Sequence, residues 1–278
     1  MTAFFVPELY SSIVRTKFFT SSIEPMLDKS QLSHLDAQTN VDHDEIARFD
    51  KLAHSWWDPN GQYKNVLAFN QHRWQAILQQ VQQHFAITGA PDLSGLKVLD
   101  VGCGGGLLCE PFAKQGAAVM GVDASEMSIK VARRHAELQN LSIDYRHCLA
   151  EQLLDDPTRF DIVLNTEVIE HVPQQQALIA QCCNLLKPGG LLVLATLNRT
   201  FKAYIVAIVG AEYVLRMLPV GTHDWRYFVK PAELQDWLTE SQHRVIQRIG
   251  MAYNPLSKKW RNSTDLSVNY LLFATRYD

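Results

Sequence analysis

Residues 98–107 read VLDVGCGGGL, and this stretch decides the fold. Its apolar start contains the acid Asp100 and leads into a Gly-x-Gly-x-Gly loop made by Gly102, Gly104 and Gly106. Glycines are required where a ligand approaches the backbone, because a Cβ atom would collide with that ligand. A helical pattern follows the loop at residues 107–115. The stretch therefore predicts a strand, a ligand-binding turn and a helix, as at the carboxyl edge of an open α/β sheet.

Apolar runs typical of strands alternate with amphipathic patterns typical of helices along the rest of the chain. The strand patterns cover residues 97–101, 118–122, 142–146, 160–165 and 191–196, and the helical patterns cover 107–115, 125–139, 174–186 and 231–240. Two later strand patterns, at 244–251 and 267–275, have no helix between them and predict an antiparallel hairpin. We expect a doubly wound α/β fold, with a mostly parallel sheet of seven strands and an antiparallel C-terminal strand.

The remaining sequence is organised around this sheet. Residues 1–40 show no sustained periodicity, and we expect a poorly ordered N-terminal extension there. Residues 41–278 are expected to form a single domain. Within it, residues 41–95 carry two helical patterns, and residues 197–229 are expected to be an insertion that forms a lid facing the substrate or a membrane.

Composition argues against several functional classes. The 278 residues carry a formal net charge of −3, so we expect no broad basic face for nucleic acid. The sequence lacks an apolar run of about 18 residues, so no transmembrane helix is predicted. The five cysteines form no CxxC pair, which favours reduced, buried thiols over a zinc site or a disulfide framework.

A second acid indicates the class of ligand. Asp123 closes the next strand, 21 residues after Gly102, where a carboxylate can accept hydrogen bonds from both hydroxyls of an adenosine ribose. A dinucleotide fingerprint requires a small residue at position 107, but Leu107 stands there. Asp100, just before the loop, suits the ammonium group of a methionine-bearing nucleoside better than a pyrophosphate. These residues favour S-adenosylmethionine over a nicotinamide dinucleotide.

Two further positions are expected to line the same nucleoside. Glu151 follows the third strand, on the side where adenine lies in this kind of fold, and a solvated loop is the alternative there. The fourth strand delivers Thr166 to the same edge, beside the expected sulfonium.

The segment after the fourth strand predicts the chemistry of the acceptor. Residues 167–173 read EVIEHVP, and one helical turn would bring Glu167, Glu170 and His171 together. A phenol has a pKa of about 10, so its nucleophilic form is scarce at neutral pH. His171 is expected to accept the proton as a general base. Alternatively, the three side chains hold Mg²⁺, which would lower the pKa of a chelating catechol.

From about residue 40 to its end the chain resembles the ubiquinone biosynthesis O-methyltransferase family. All such methyltransferases have the glycine loop, whereas the segments after residue 196 are specific to this family. The matching segments are 40–47 (NVDHDEIA), 56–58 (WWD), 100–106, 167–173, 196–199 (TLNR), 209–213 (VGAEY), 221–224 (GTHD), 230–234 (KPAEL) and 253–255 (YNP).

The resemblance implies the class I methyltransferase fold and a defined reaction. It implies methylation of phenolic hydroxyls in polyprenylated catechols at two steps, on 2-polyprenyl-6-hydroxyphenol and 3-demethylubiquinol. By position it implies cofactor contacts at Arg73, Gly102, Asp123 and Thr166. The family often has methionine at the position of Thr166, which favours a backbone contact there. Residues 70–73 read NQHR where the family usually has Asn-Pro-x-Arg, so the proline before the arginine is absent.

Residues 201–218, FKAYIVAIVGAEYVLRML, predict a membrane face. Their charges, at Lys202, Glu212 and Arg216, fall on one side of a helix, and the uncharged run 203–211 is too short to span a bilayer. A helix in the membrane interface or a lid over a polyprenyl tail fits this pattern, and a helix packed under the fold is the alternative. We therefore expect a polyprenyl phenol, an anionic lipid surface and other ubiquinone-synthesis enzymes as partners. The expected location is cytoplasmic and peripheral to the inner membrane, or the mitochondrial matrix.

Two other functions stay open on the sequence. One is methylation of a soluble phenol, which would give no reason for the apolar segment 201–218. The other is a non-catalytic cofactor-binding subunit of a quinone-synthesis assembly, which would not need the acceptor residues Glu167, Glu170 and His171.

Overall fold

A computed structural model describes residues 40, 42–52, 56–58, 64–205, 224–254, 257 and 259–277. The extension predicted for residues 1–40 lies outside these residues except for Asn40, as does the segment 206–218 of the predicted membrane face. The helices are α1 (His43–Leu52), α2 (Lys64–His84), α3 (Cys109–Lys114), α4 (Glu126–Leu138), α5 (Gln175–Leu185), α6 (Phe201–Ala203) and α7 (Pro231–Glu240). The strands are β1 (Lys97–Val101), β2 (Ala118–Asp123), β3 (Asp144–His147), β4 (Phe160–Thr166), β5 (Leu186–Leu197), β6 (His243–Asn254), β7 (Lys259–Ser263) and β8 (Asn269–Arg276). Within the described ranges, every helix is too short or too polar to serve as a membrane span.

The strands form one mixed sheet in the order β3-β2-β1-β4-β5-β8-β6-β7. β1 pairs in parallel with β2 and with β4, and these continue in parallel to β3 and β5. β8 is antiparallel to both β5 and β6. The predicted doubly wound α/β sheet, with its antiparallel C-terminal strand, is confirmed.

An eighth strand at the sheet edge was not predicted. β7 is antiparallel to the end of β6, with Gly250 opposite Ser263 and Asn254 opposite Lys259. Its sequence, KWRNS, is mostly polar, and none of its residues is fully buried. Such an exposed edge strand has no apolar alternation that a sequence pattern could detect.

A second difference concerns residues 187–190, KPGG. They lie between the helical pattern 174–186 and the strand pattern 191–196, and their proline and glycines predict a turn there. β5 already begins at Leu186, opposite Phe160, and the next paired residues are Ile162 and Leu191. The four residues between them bulge out of the ladder, with Gly189 at a φ of +73°. The predicted turn therefore lies inside β5.

Both faces of the central strands of the sheet are buried, and consecutive side chains of one strand point to opposite faces. Val98 of β1 belongs to an apolar cluster that includes Ile77 of α2 and Phe112 of α3. Leu99 belongs to a second cluster, which includes Ile179 of α5 and also residues of α7. Strands covered on both faces read as continuous apolar runs, which is why the sequence predicts the parallel strands well.

The strand order reverses beside β1, and this reversal positions the site. Val101 at the end of β1 is level with Val122 of β2 and Asn165 of β4, so the three carboxyl ends meet at one edge. In open α/β sheets the ligand crevice lies at such a switch point. The glycine loop, Asp123 and Thr166 all follow or close these strands.

Candidate active site

The loop after β1 is folded so tightly that it excludes side chains. Gly102 has a φ of +75° and Gly104 a φ of +51°, in the left-handed region that other residues rarely adopt. A Cβ atom on Gly102 would lie 2.2 Å from Cγ2 of Val168, and one on Gly104 would lie 3.0 Å from the indole of Trp56. The loop therefore presents bare backbone at the switch point.

Asp123 is bound to the glycine loop by hydrogen bonds. The N–H of Gly104 donates to its Oδ2 and the N–H of Ser125 to its Oδ1, each at 2.8 Å. Burial raises the pKa of the Asp123 carboxyl, and these two backbone hydrogen bonds oppose the rise. A carboxylate oxygen has more than one lone pair, so both oxygens keep the capacity to accept ribose hydroxyls.

Asp100 is a buried acid with one oxygen unused. The thiol of Cys109 donates to Oδ2 at 3.4 Å, while Oδ1 lacks a hydrogen-bond partner in the part of the chain that the structure describes. Burial raises the pKa of this carboxyl to about 7, against the lowering effects of Cys109 and the Arg73 charge. Buried polar atoms are normally paired, so this oxygen fits a cationic ligand group such as an ammonium.

Arg73 of α2 is buried at the same edge. Its guanidinium donates to Oε1 of Glu167 at 2.8 Å and lies over the ring of Phe69, 4.4 Å from the centroid. Burial lowers the pKa of Arg73, and the charges of Glu167, Glu170 and Asp100 raise it again. Its Nε has no partner among the residues described, so a donor stays available for an anionic ligand group.

The acceptor residues do not share one helical turn. Glu170 and His171 lie in the short 3₁₀ helix Ile169–His171, but Glu167 has a φ of +57°, which no right-handed helix contains. The N–H of Glu167 instead donates to the carbonyl of Ala195 at 2.9 Å. Glu170 is buried and accepts a hydrogen bond from the hydroxyl of Thr196 at 2.8 Å. The prediction that a single turn gathers all three residues is therefore wrong.

The predicted Mg²⁺ ligands also do not form a ligand set. In the described ranges, no three histidine, cysteine, aspartate or glutamate side chains are gathered so that they could hold a metal ion. Glu167, Glu170 and His171 all lie within those ranges. The physical reason is the ion pair with Arg73, which holds the carboxylate of Glu167. Metal binding would require Glu167 to exchange this guanidinium for the cation.

The other predicted cofactor residues lie around the same edge or beside it. Thr166 ends β4, opposite Ala195 of β5, and is partly exposed. The neighbouring Asn165 is buried and donates to the carbonyl of Val101 at 3.4 Å. Glu151 lies in the short 3₁₀ helix Ala150–Leu153, which follows β3. No contact of the described residues assigns Glu151 to the nucleoside, so its role stays a prediction.

Sequence reasoning missed the contacts of the N-terminal segment with this edge. The hydroxyl of Ser125 donates to Oδ1 of Asp50 at 2.5 Å. Trp56 packs against Gly105, and the indole N–H of Trp57 donates to the Gly105 carbonyl at 2.8 Å. The adjacent Trp56 and Trp57 in a turn could have indicated these contacts, because such large aromatic side chains usually pack against a partner.

Comparison with known proteins agrees with this architecture. A family model for a methyltransferase domain matches residues 69–250. The chain superposes on a magnesium protoporphyrin IX methyltransferase from Synechocystis PCC 6803 with bound SAH, with a TM-score of 0.60 and 20% identity over 83% of this chain and 95% of that one. It also superposes on the plantazolicin methyltransferase in complex with a triazolic analogue and SAH. That comparison has a TM-score of 0.57 and 16% identity over 84% of this chain and 99% of that one. The fold is therefore that of class I S-adenosylmethionine-dependent methyltransferases.

Curated relatives are more similar in sequence. A ubiquinone biosynthesis O-methyltransferase from Bartonella tribocorum is 47% identical over 87% of this chain and 98% of its own length. Proteins of the same name from Chelativorans and Brucella ovis are each 47% identical over 86% of this chain, and over 95% and 98% of their own. The chain belongs to the ubiquinone biosynthesis O-methyltransferase family of S-adenosylmethionine-dependent enzymes.

Proposed function

We propose that this enzyme methylates phenolic hydroxyls of polyprenylated catechols at two steps of ubiquinone synthesis. The proposed acceptors are 2-polyprenyl-6-hydroxyphenol and 3-demethylubiquinol. The observation that carries the proposal is that the residues predicted to bind the cofactor and those predicted to activate the acceptor lie at the same edge of the sheet. Asp100 lies near the end of β1, and the glycine loop follows this strand. Glu170 and His171 follow the neighbouring strand β4. The names of the curated relatives support the same chemistry.

Bound S-adenosylmethionine supplies an electrophilic methyl group. In the proposed complex Asp123 accepts the ribose hydroxyls, and the unused oxygen of Asp100 faces the amino group of the methionine moiety. Arg73, with its available Nε donor, faces the carboxylate of the same moiety. The amino and carboxylate groups would then each meet a buried charge of opposite sign, which strengthens both interactions in a site of low dielectric. Thr166, at the end of β4, would contact the cofactor through its backbone.

The acceptor must lose a proton before or during attack. In the proposed mechanism an imidazole nitrogen of His171 accepts the phenolic proton, which raises the nucleophilicity of the oxygen. The oxygen would then bond to the methyl carbon that bound S-adenosylmethionine supplies, and the electron pair of the broken carbon–sulfur bond would stay on sulfur. Glu170, buried beside His171 in the chain, would stabilise the imidazolium that forms. Its hydrogen bond from Thr196 would keep this carboxylate in place.

A metal-assisted version of this mechanism makes a distinct prediction. If Glu167, Glu170 and His171 bind Mg²⁺, the cation would acidify a chelating catechol directly. The ion pair between Glu167 and Arg73 would then have to open. Treatment with a chelator followed by added Mg²⁺ separates the two versions. If chelation leaves the methyl-transfer rate unchanged, His171 acts as the base without a metal. If chelation abolishes the rate and added Mg²⁺ restores it, the metal-assisted mechanism is supported.

Kinetics with two catechols test the substrate class. A short-tailed polyprenyl catechol and the same catechol without a tail are compared at saturating S-adenosylmethionine. We expect kcat/KM for the tailed substrate to be higher by at least about tenfold, because the tail contributes apolar surface to binding. Equal values would favour a soluble phenol as substrate. Cofactor binding without turnover of either catechol would favour the non-catalytic subunit.

The beginning of the predicted membrane segment supports a lipid-facing role. The side chains of Phe201 and Ile205 are 75% and 41% exposed, so both large apolar groups are accessible to a surface outside the protein. We propose that they contact an anionic lipid surface, so that the enzyme works at the inner membrane beside other ubiquinone-synthesis enzymes. Lys202 is paired with Asp265 at 2.5 Å, so this lysine adds little attraction to lipid headgroups. Binding should therefore depend more on apolar contact than on salt concentration.

A further inference from the structure

A series of side-chain contacts begins at the glycine loop and returns to it. The indole N–H of Trp57 donates to the carbonyl of Gly105 at 2.8 Å. The indole lies flat on the imidazole of His135 in α4, with ring centroids 3.7 Å apart and an interplanar angle of 3°. Nδ1 of His135 is hydrogen-bonded to Oε1 of Glu110. Glu110 belongs to α3, the helix that directly follows the glycine loop.

The last residue of this series, Glu110, is a buried carboxylate. Glu110 is fully buried, and its second oxygen accepts a hydrogen bond from Lys114 at 3.3 Å. A buried carboxylate is tolerated only with well-placed partners, so Glu110 restricts where the ring of His135 can lie. His135 in turn provides the flat surface on which Trp57 rests. The contacts with His135 and Glu110 therefore direct the indole N–H of Trp57 towards the carbonyl of Gly105.

The glycine loop is consequently held on two sides. Asp123 accepts the N–H of Gly104, and Trp57 donates to the carbonyl of the next residue, Gly105. Trp56 also packs against this backbone, since a Cβ atom on Gly105 would lie 2.6 Å from Cγ of Trp56. The loop can adopt many backbone conformations because it is built of glycines, so external contacts must select the one that fits the ligand.

We propose that Trp57, held in place by His135 and Glu110, is a positioning residue that fixes the glycine loop in its cofactor-binding conformation. The inference requires only that the loop binds S-adenosylmethionine, and it is independent of which acceptor is methylated. Loss of the indole N–H leaves the Gly105 carbonyl without this bond and allows the loop to relax. Cofactor affinity then falls, while the acceptor residues after β4 keep their positions.

The variant Trp57→Phe tests this, because phenylalanine keeps a flat ring on His135 but has no N–H. We expect Kd and KM for S-adenosylmethionine to rise by about three- to tenfold, the effect of one lost hydrogen bond, with kcat at saturation within about twofold of wild type. Trp225→Phe is the matched control, because Trp225 also donates its indole N–H to a backbone carbonyl, that of Thr200 at 3.0 Å. The control should leave cofactor affinity unchanged.

Two substitutions at Glu110 test the rest of the series. Glu110→Ala removes the partner of His135 and should raise Kd as Trp57→Phe does, whereas Glu110→Gln can still hydrogen-bond to the imidazole and should restore most of the affinity. Wild-type affinity in Trp57→Phe would overturn the proposal. A fall in unfolding temperature with unchanged Kd in the Glu110 variants would also overturn it, because it would indicate a purely structural role. If Trp57→Phe does not fold, the two Glu110 variants decide the question.

Discussion

Replacing the buried acid Asp100 with asparagine should stabilise the fold and weaken cofactor binding. Burial raises the pKa of this carboxyl from 3.8 to about 7. Each tenfold change in proton affinity corresponds to about 1.4 kcal/mol, so ionised Asp100 costs the fold up to about 4 kcal/mol. The cost is absent below about pH 4, since the acid is then protonated in both folded and unfolded states. It grows as the pH rises towards 7, because the unfolded chain loses this proton first.

The substitution Asp100→Asn removes this ionisation. At pH 8 we expect the variant to unfold up to about 8–16 °C above wild type, because about 2–4 °C correspond to each of the up to about 4 kcal/mol in a domain of this size. At pH 4 the advantage should vanish, since wild-type Asp100 is then protonated. Scanning calorimetry of both proteins at the two pH values measures the difference. A variant that is less stable than wild type at pH 8 would contradict the assignment of a burial cost to this carboxyl.

The same variant should bind S-adenosylmethionine more weakly, because a neutral amide cannot pair with the ammonium group. Between pH 7 and pH 5 the wild-type Kd should rise by up to about tenfold for each pH unit, since Asp100 must lose its proton to bind the cation. Asp100→Asn should lose this pH dependence. Isothermal titration calorimetry over that range measures both proteins. A wild-type Kd that stays constant, or a pH dependence that persists in the variant, would refute the placement of Asp100 against the cofactor.

Three other changes test the remaining parts of the site. Asp123→Ala removes the charged acceptor of the ribose hydrogen bonds, each worth about 1.5–3 kcal/mol, so cofactor affinity should fall at least tenfold in calorimetry; unchanged affinity would reject the assignment. His171→Ala should lower kcat in the methyl-transfer assay by about two to four orders of magnitude with normal cofactor affinity, and a rate near wild type would eliminate His171 as the base. Phe201→Glu combined with Ile205→Glu should abolish co-sedimentation with anionic vesicles, whereas Leu138→Glu, at a 60% exposed residue that ends α4, should not. Normal sedimentation of the double variant would exclude these residues as a lipid contact.

Local periodicity was sufficient to predict most of the fold. β1 was predicted with the bounds that the structure shows, because its apolar residues Val98, Leu99 and Val101 are buried on both faces of the sheet. The start of α4 close to residue 125 was also predicted, and it is fixed by a local cap: the side chain of Ser125 accepts from the N–H of Ser128 at 2.9 Å. Both features depend on residues close in sequence. β7 was missed because an exposed edge strand carries no such pattern.

The contacts that organise the site join distant parts of the chain. The ion pair between Arg73 and Glu167 spans 94 positions, and the bond from Trp57 to Gly105 spans 48. No spacing rule relates positions so far apart, because tertiary packing alone brings them together. The spacing rule that was applied to Glu167 and His171 failed for a local reason. Glu167 adopts a left-handed backbone conformation, which sequence alone does not indicate for a glutamate.

The central claim is that the enzyme transfers a methyl group to the phenolic oxygen of a polyprenyl catechol. The direct measurement uses S-adenosylmethionine labelled with ¹³C in its methyl group, a short-tailed polyprenyl catechol and NMR of the product. We predict one labelled methoxy carbon on the ring for each molecule of S-adenosylhomocysteine formed. A label on carbon or nitrogen, or an enzyme that binds the cofactor and never turns over this catechol, would contradict the claim.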